Sequence, residues 1–112
     1  MAIADILAIL LAAVLARAGG LNLTAPDFIR AEFRAWGYSD RLRMTVGILE
    51  WVSAATLLVP SLRVIGCAIA IAILLGVLFT LARQRELMRL EYPAVLLALV
   101  LLVVADTLGR IA

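Results

Sequence analysis

The sequence predicts an all-α integral membrane protein: an up-and-down bundle of four transmembrane helices, with a short amphipathic interfacial helix between the first and second spans. Two observations predict it. Hydrophobic residues make up 66% of the 112 and charged residues only 16%, a balance well on the apolar side of ordinary soluble domains. The apolar residues also gather into four continuous runs that approach the roughly 20 residues a helix needs to cross a hydrocarbon core of about 30 Å. In lipid, backbone polar groups are satisfied only within helices or a closed barrel, and runs without period-two alternation exclude the barrel. No Pro-, Ser- or Gly-rich stretch divides the chain, so residues 1–112 read as a single transmembrane domain.

The four expected spans are Ala2–Ala18, extendable to Leu23; Leu42–Val59; Val64–Ala82; and Pro93–Leu108. Only Ser61, Leu62 and Arg63 lie between Pro60, which follows the second, and the third, so these two must form a tight antiparallel hairpin. Arg83–Tyr92 joins the third to the fourth and again makes neighbours. In the first connection, Thr24-Ala25-Pro26-Asp27 has the form of a capping box, with Thr24 as N-cap, Pro26 in the first turn and Asp27 reaching back. Ile29, Phe33 and Trp36 then recur at helical spacing, Arg30 and Arg34 fall on another face, and Gly37 can end the helix. Such a helix lies in the membrane interface or covers the end of the bundle.

An A-x-A pattern at Ala16-Arg17-Ala18 follows an apolar run, but the residues before that run hold Asp5 and no basic group, which argues against a cleaved signal peptide. All ten basic residues are Arg, ionised at any useful pH. Eight of them, Arg17, Arg30, Arg34, Arg41, Arg43, Arg83, Arg85 and Arg89, fall at the first and third connections, against Arg63 and Arg110 on the other side. The positive-inside rule then places connections 1 and 3 in the cytoplasm and both termini outside. The expected location is a bacterial cytoplasmic membrane. Phe33, Trp36, Tyr38 and Tyr92 form the expected interfacial aromatic group on that side. The charge is too scattered for a nucleic-acid footprint; the bilayer is the expected partner.

With no His and one Cys, ordinary zinc or haem ligation lacks its side chains, so no covalent cofactor is expected and any electrons would be carried by another molecule. Cys67 reads as a small packing residue. Small residues recur every fourth position at Ala4, Ala8, Ala12, Ala16 and Gly20, and again at Ala68, Ala72, Gly76 and Thr80, which suits close helix packing within the chain or a homodimer face.

Glu50 most needs an explanation, because it lies about 12 Å below the start of the second span at 1.5 Å per residue, and intramembrane charges are costly and functional by default. Gly47 and Ser53 beside it make a small, partly polar stripe. Arg17 falls roughly 9 Å from the end of the first helix, at a similar depth, so an Arg17–Glu50 pair is expected, either a structural bridge or part of a pocket with Gly47 and Ser53. Asp5, Asp106, Arg63 and Arg110 should come together at the other face.

From Phe33 onward the chain resembles the DoxX-like family of small four-helix membrane proteins. The carrying residues are Phe33-x-x-Trp36-Gly37-Tyr38, Leu42-Arg43, Gly47-Ile48-Leu49-Glu50, Ala54, Leu57-Leu58-Val59-Pro60 and Arg63-x-x-Gly66. The resemblance implies the Gly-Tyr turn, the span glutamate and the following proline. In that family the first helix commonly ends with a glycine and a lysine near a leucine; here the region reads Arg17-Ala18-Gly19-Gly20-Leu21-Asn22-Leu23, so Arg17 takes the positive role or the pairing is absent. Members are linked to thiosulfate:quinone oxidoreduction as a membrane subunit, to quinone or oxidative stress, and to receptor assembly. Two functions stay open. One is a non-catalytic membrane subunit or binding module that holds a quinone or lipid or assists another membrane protein, as in a quinone-linked oxidoreductase. The other is a small proton-coupled multidrug exporter using Glu50. An enzyme acting alone lacks a nucleophile–base constellation.

Overall fold

The computed structural model describes residues 2–111, and these form five α-helices and no strand. They are α1 (Ile3–Thr24), α2 (Asp27–Ala35), α3 (Asp40–Leu57), α4 (Arg63–Arg83) and α5 (Glu91–Ile111), with single 3₁₀ turns at Pro60–Leu62 and Leu87–Leu90. Three stretches, Ile3–Thr24, Pro60–Arg83 and Leu87–Ile111, are long and apolar enough to cross a membrane. The second expected span, here α3, is not among them, because Asp40, Arg41, Arg43 and Glu50 fall within its 18 residues.

The four long helices pack in chain order, α1 with α3, α3 with α4 and α4 with α5, and α5 closes back onto α1. The contacts fix antiparallel registers. Between α1 and α3, Trp51 Nε1 donates to the Ala16 carbonyl at 3.0 Å while Arg43, a little over two turns earlier, donates to the Asn22 carbonyl. Between α3 and α4, Ser53 Oγ donates to the Gly66 carbonyl at 2.7 Å and Arg63 Nε to the Leu57 carbonyl at 2.8 Å. The shared core is Ala8, Leu11, Ala12 and Leu15 from α1, Ala54 and Leu57 from α3, Cys67, Ala70 and Leu74 from α4, and Val100 and Val103 from α5. Spacings of three and four put each set on one helix face.

Local chemistry sets the helix ends. Asp5 accepts from the Ala2 N–H at 3.1 Å and opens α1. Ser39 accepts from the Leu42 N–H and opens α3. Pro60 forces Val59 out of the helical region, to φ −105° and ψ 110°, and α3 stops. Gly37, at φ +81°, closes α2, with the Tyr38 N–H on the Phe33 carbonyl at 2.9 Å.

Two expectations are corrected and a third is refined. Thr24 does not cap α2: it belongs to the last turn of α1, its hydroxyl donates back to the Gly20 carbonyl, and Pro26 occupies the cap position of α2 without a side-chain bond. The small-residue stripe of α4 does not pack the helices together, for Ala68, Ala72 and Gly76 are exposed while Gly66, Cys67 and Ala70 are buried. At the far end the four charges do come near one another, as two pairs, Asp5–Arg63 at 2.9 Å bridging α1 to α4 and Asp106–Arg110 at 2.8 Å within α5, with Arg110 within electrostatic reach of Asp5.

Candidate functional site

One face of α3 carries Arg43, Gly47, Glu50, Ala54 and Leu57, all buried and spaced four, three, four and three residues apart. That spacing keeps a single stripe in register with α1 and α4. Glu50 is 5% exposed and Arg43 4%, so both charges have left the surrounding medium and need partners.

Glu50's hydrogen-bond partner is not Arg17. Asn22 Nδ2, near the end of α1, donates to Glu50 Oε1, and the Asn22 carbonyl accepts from Arg43 Nη1. Asn22 therefore stands between the two buried charges, bonding the carboxylate with its side chain and the guanidinium with its backbone. Arg43 also lies 3.6 Å from Asp40, and its Nε has no partner among the described residues. Arg17 is exposed and has no carboxylate within 4 Å among the described residues. The helical rotation of α1 explains this: the buried face runs through Leu11, Leu15 and Gly19, and Arg17 points away from it.

Gly47 and Ser53 leave no open room beside Glu50. A Cβ on Gly47 would lie 2.9 Å from Leu23 Cγ and 3.1 Å from Asn22 Cβ, so this glycine lets α1 lie directly on α3. Ser53 is fully buried with its hydroxyl engaged by the Gly66 carbonyl, on the α4 side.

Space exists on the other side of Glu50. A cavity of about 500 Å³ opens between α1, α4 and α5, with Glu50 and Asn22 in its wall and Arg17 and Arg89 also lining it. Most of the remaining lining is apolar, including Leu21, Leu74, Val77 and Leu96, and Ile29 of α2 closes part of it. This is the size and make-up of small-molecule pockets, a mostly apolar wall with a few convergent polar groups. Arg17 and Glu50 thus share the cavity without pairing. Arg89 is anchored by Glu32 and by Glu86 at 2.8 Å.

Phe33, Trp36 and Tyr38 form one aromatic cluster, with ring centroids 5.6 to 6.4 Å apart. Tyr92 stands apart from them, 63% exposed, on the cavity side. Trp36 Nε1 donates to Glu86 at 3.0 Å and Arg89 lies over the Trp36 ring. Arg89 and Trp36 together hold the Glu86 carboxyl below the usual glutamate range.

Asn22 and Arg43 were not singled out as site residues from the sequence. Both had a signal. Asn22 is the chain's one asparagine, set in an otherwise apolar helix end. Arg43 precedes Glu50 by seven residues, two turns on the same face.

The fold and this site define a small helical membrane protein with a buried polar cluster beside an apolar cavity. The profile of the DoxX-like family matches residues 6–105, and the chain belongs to that family. Neither a curated protein nor a solved structure matches it.

Proposed function

We propose that this protein is a non-catalytic membrane binding module whose cavity holds an amphiphilic molecule, a quinone or a lipid, with its polar head at Asn22 and Glu50 and its apolar part between α1, α4 and α5. The observation that supports the reading best is the cavity itself: it combines about 500 Å³ of mostly apolar space with one buried, hydrogen-bonded carboxylate. Serving a membrane redox or assembly partner is consistent with it. Arg17 in the same cavity disfavours export of cationic drugs through it, since its guanidinium, with no carboxylate within 4 Å among the described residues, repels a cation.

The proposal includes α3 as a fourth span. Arg43 and Glu50 turn to α1, Asp40 and Arg41 stay exposed in the first turn of α3, and Ile48, Trp51 and Val52 are exposed, the arrangement a lipid-facing helix requires. The eight-to-two distribution of Arg supports cytoplasmic first and third connections in a bacterial inner membrane, with α2 at the interface. In a Cys67→Ala background, Arg85→Cys should label from the cytoplasm and Ser61→Cys from outside; the reverse pattern refutes this orientation.

The binding experiment titrates the purified protein with a short-chain benzoquinone and with a phospholipid, reading thermal stabilisation. Ala18→Phe, which fills the cavity from α1, should remove stabilisation by the occupant, and Glu50→Gln should weaken it while leaving the fold intact. Stabilisation equal in wild type and Ala18→Phe, or none by either probe, overturns the cavity as a binding site. Acid-driven ethidium efflux from vesicles that depends on Glu50 would favour the exporter instead.

A further inference from the structure

A second groove lies between α3 and α4 and under the aromatic cluster. Its volume is about 370 Å³, and its walls are apolar except for Tyr38 and Thr80. Those two hydroxyls bond each other at 2.7 Å. The floor is open: a Cβ on Gly76 would meet nothing within 4 Å. Ala72, Gly76 and Thr80 follow one another by single turns, so the groove runs about 12 Å along α4, most of the depth of one leaflet of a core about 30 Å thick.

At the end of this groove stands Arg83. Its guanidinium lies 5.5 Å from the centroid of the Tyr38 ring and 5.9 Å from that of Phe79, and Nη2 donates to the Trp36 carbonyl at 3.2 Å. It has no carboxylate within 4 Å among the described residues, whereas Arg43, Arg63, Arg89 and Arg110 each have one. The cation is therefore fixed in place by rings and a carbonyl, exposed, and uncompensated.

We propose that this groove is a phospholipid site, with one acyl chain lying along Ala72, Gly76 and Thr80 and the phosphate on Arg83. Charge selects the head: Arg binds phosphate oxygens through paired N–H donors. Shape suits the tail: the groove is apolar, about 12 Å long along α4 and open above Gly76, which accepts an extended alkyl chain. The groove and the cavity at Glu50 share Ile73 and Val77 in their walls, while Ala72, Gly76 and Thr80 line the groove alone.

The test uses delipidated protein in detergent, titrated with dioleoylphosphatidylglycerol and with dioleoylglycerol, which lacks the phosphate, and read by native mass spectrometry. Wild type should retain a phosphatidylglycerol that Ala18→Phe, which fills the cavity at Glu50, does not displace. Gly76→Phe should weaken retention about tenfold or more, the loss expected when an apolar contact is blocked, without loss of helicity or melting temperature. Arg83→Gln should remove the preference for phosphatidylglycerol over dioleoylglycerol. Gly109→Phe, a second glycine with open space around it, should bind as wild type does. Retention unchanged in Gly76→Phe overturns the proposal. So does retention lost in Ala18→Phe but not in Gly76→Phe, which places the lipid in the other cavity. A dimer that dissociates in Gly76→Phe with lipid retention unaltered shows that a second copy occupies the groove and also overturns it.

Discussion

Glycine-to-alanine substitutions along the helix contacts should have opposite signs, and the structure supplies the magnitudes. A Cβ at Gly66 would lie 2.7 Å from Thr56 Oγ1, 2.8 Å from the Leu57 nitrogen and 2.9 Å from the Ser53 oxygen. Two of these atoms are backbone of α3, so no rotamer change relieves them, and α4 must withdraw by roughly half an ångström, at an overpacking cost of about 1–3 kcal/mol. Withdrawal also lengthens the Ser53–Gly66 hydrogen bond, worth about 0.6 kcal/mol between membrane helices. Alanine's better helix propensity returns up to about 1 kcal/mol. Gly66→Ala should therefore destabilise by about 1–2 kcal/mol net. Gly76→Ala meets nothing and keeps only the propensity gain, so it should stabilise by about 0.5–1 kcal/mol. Gly47→Ala should also destabilise, though less than Gly66→Ala, since its Cβ would meet Leu23 Cγ at 2.9 Å, Asn22 Cβ at 3.1 Å and the Gly19 carbonyl at 3.2 Å, with only the last of these backbone. Reversible unfolding in mixed micelles with increasing dodecyl sulfate, followed by circular dichroism, reads the three differences. Equal effects at Gly66 and Gly76 would refute the α3–α4 packing and with it the placement of Ser53.

Two further outcomes test the polar cluster and the connections. In double-mutant cycles by the same unfolding assay, Asn22→Ala with Glu50→Ala should show a coupling of about 0.6 to 2 kcal/mol, while Arg17→Ala with Glu50→Ala should add within about 0.3–0.5 kcal/mol; the opposite pattern restores the Arg17–Glu50 pair. Trp36 emission in a Trp51→Phe background should respond to acid, because Glu86 is held below its ordinary pKa of 4.5, first by Arg89 and then by Trp36. The contribution of a carboxyl lowered in the folded state is complete above its unfolded value and is lost as pH falls through the folded one. The change should therefore come below about pH 4.5 and vanish in Glu86→Gln; a transition that persists in that variant assigns it to another group.

The all-α class and the three apolar spans were legible because lipid leaves a chain few choices: the runs around Leu11, Leu74 and Val100 cannot satisfy their backbone there except as helices. The ends set by Gly37 and Pro60 were legible for the same local reason, a φ that only some residues adopt and a ring that excludes helix before it. Sequence depth put Arg17 and Glu50 at one level, but depth does not give azimuth. Arg17 lies on the exposed face of α1 and Asn22, five residues on, is turned to α3, a difference of rotation that depends on how α1 rolls against its neighbour. The α4 stripe of small residues failed in the same way, while Ala8 and Ala12 of the α1 stripe do enter the core: Ala72 and Gly76 look identical in sequence to the glycines that pack, and only the position of α3 decides that Gly66 is covered and Gly76 is open. The sequence alone determined which segments are helices and the order of charges along each; the tertiary structure decided which side of each helix is the inside, because that is settled by contacts between helices and not within them.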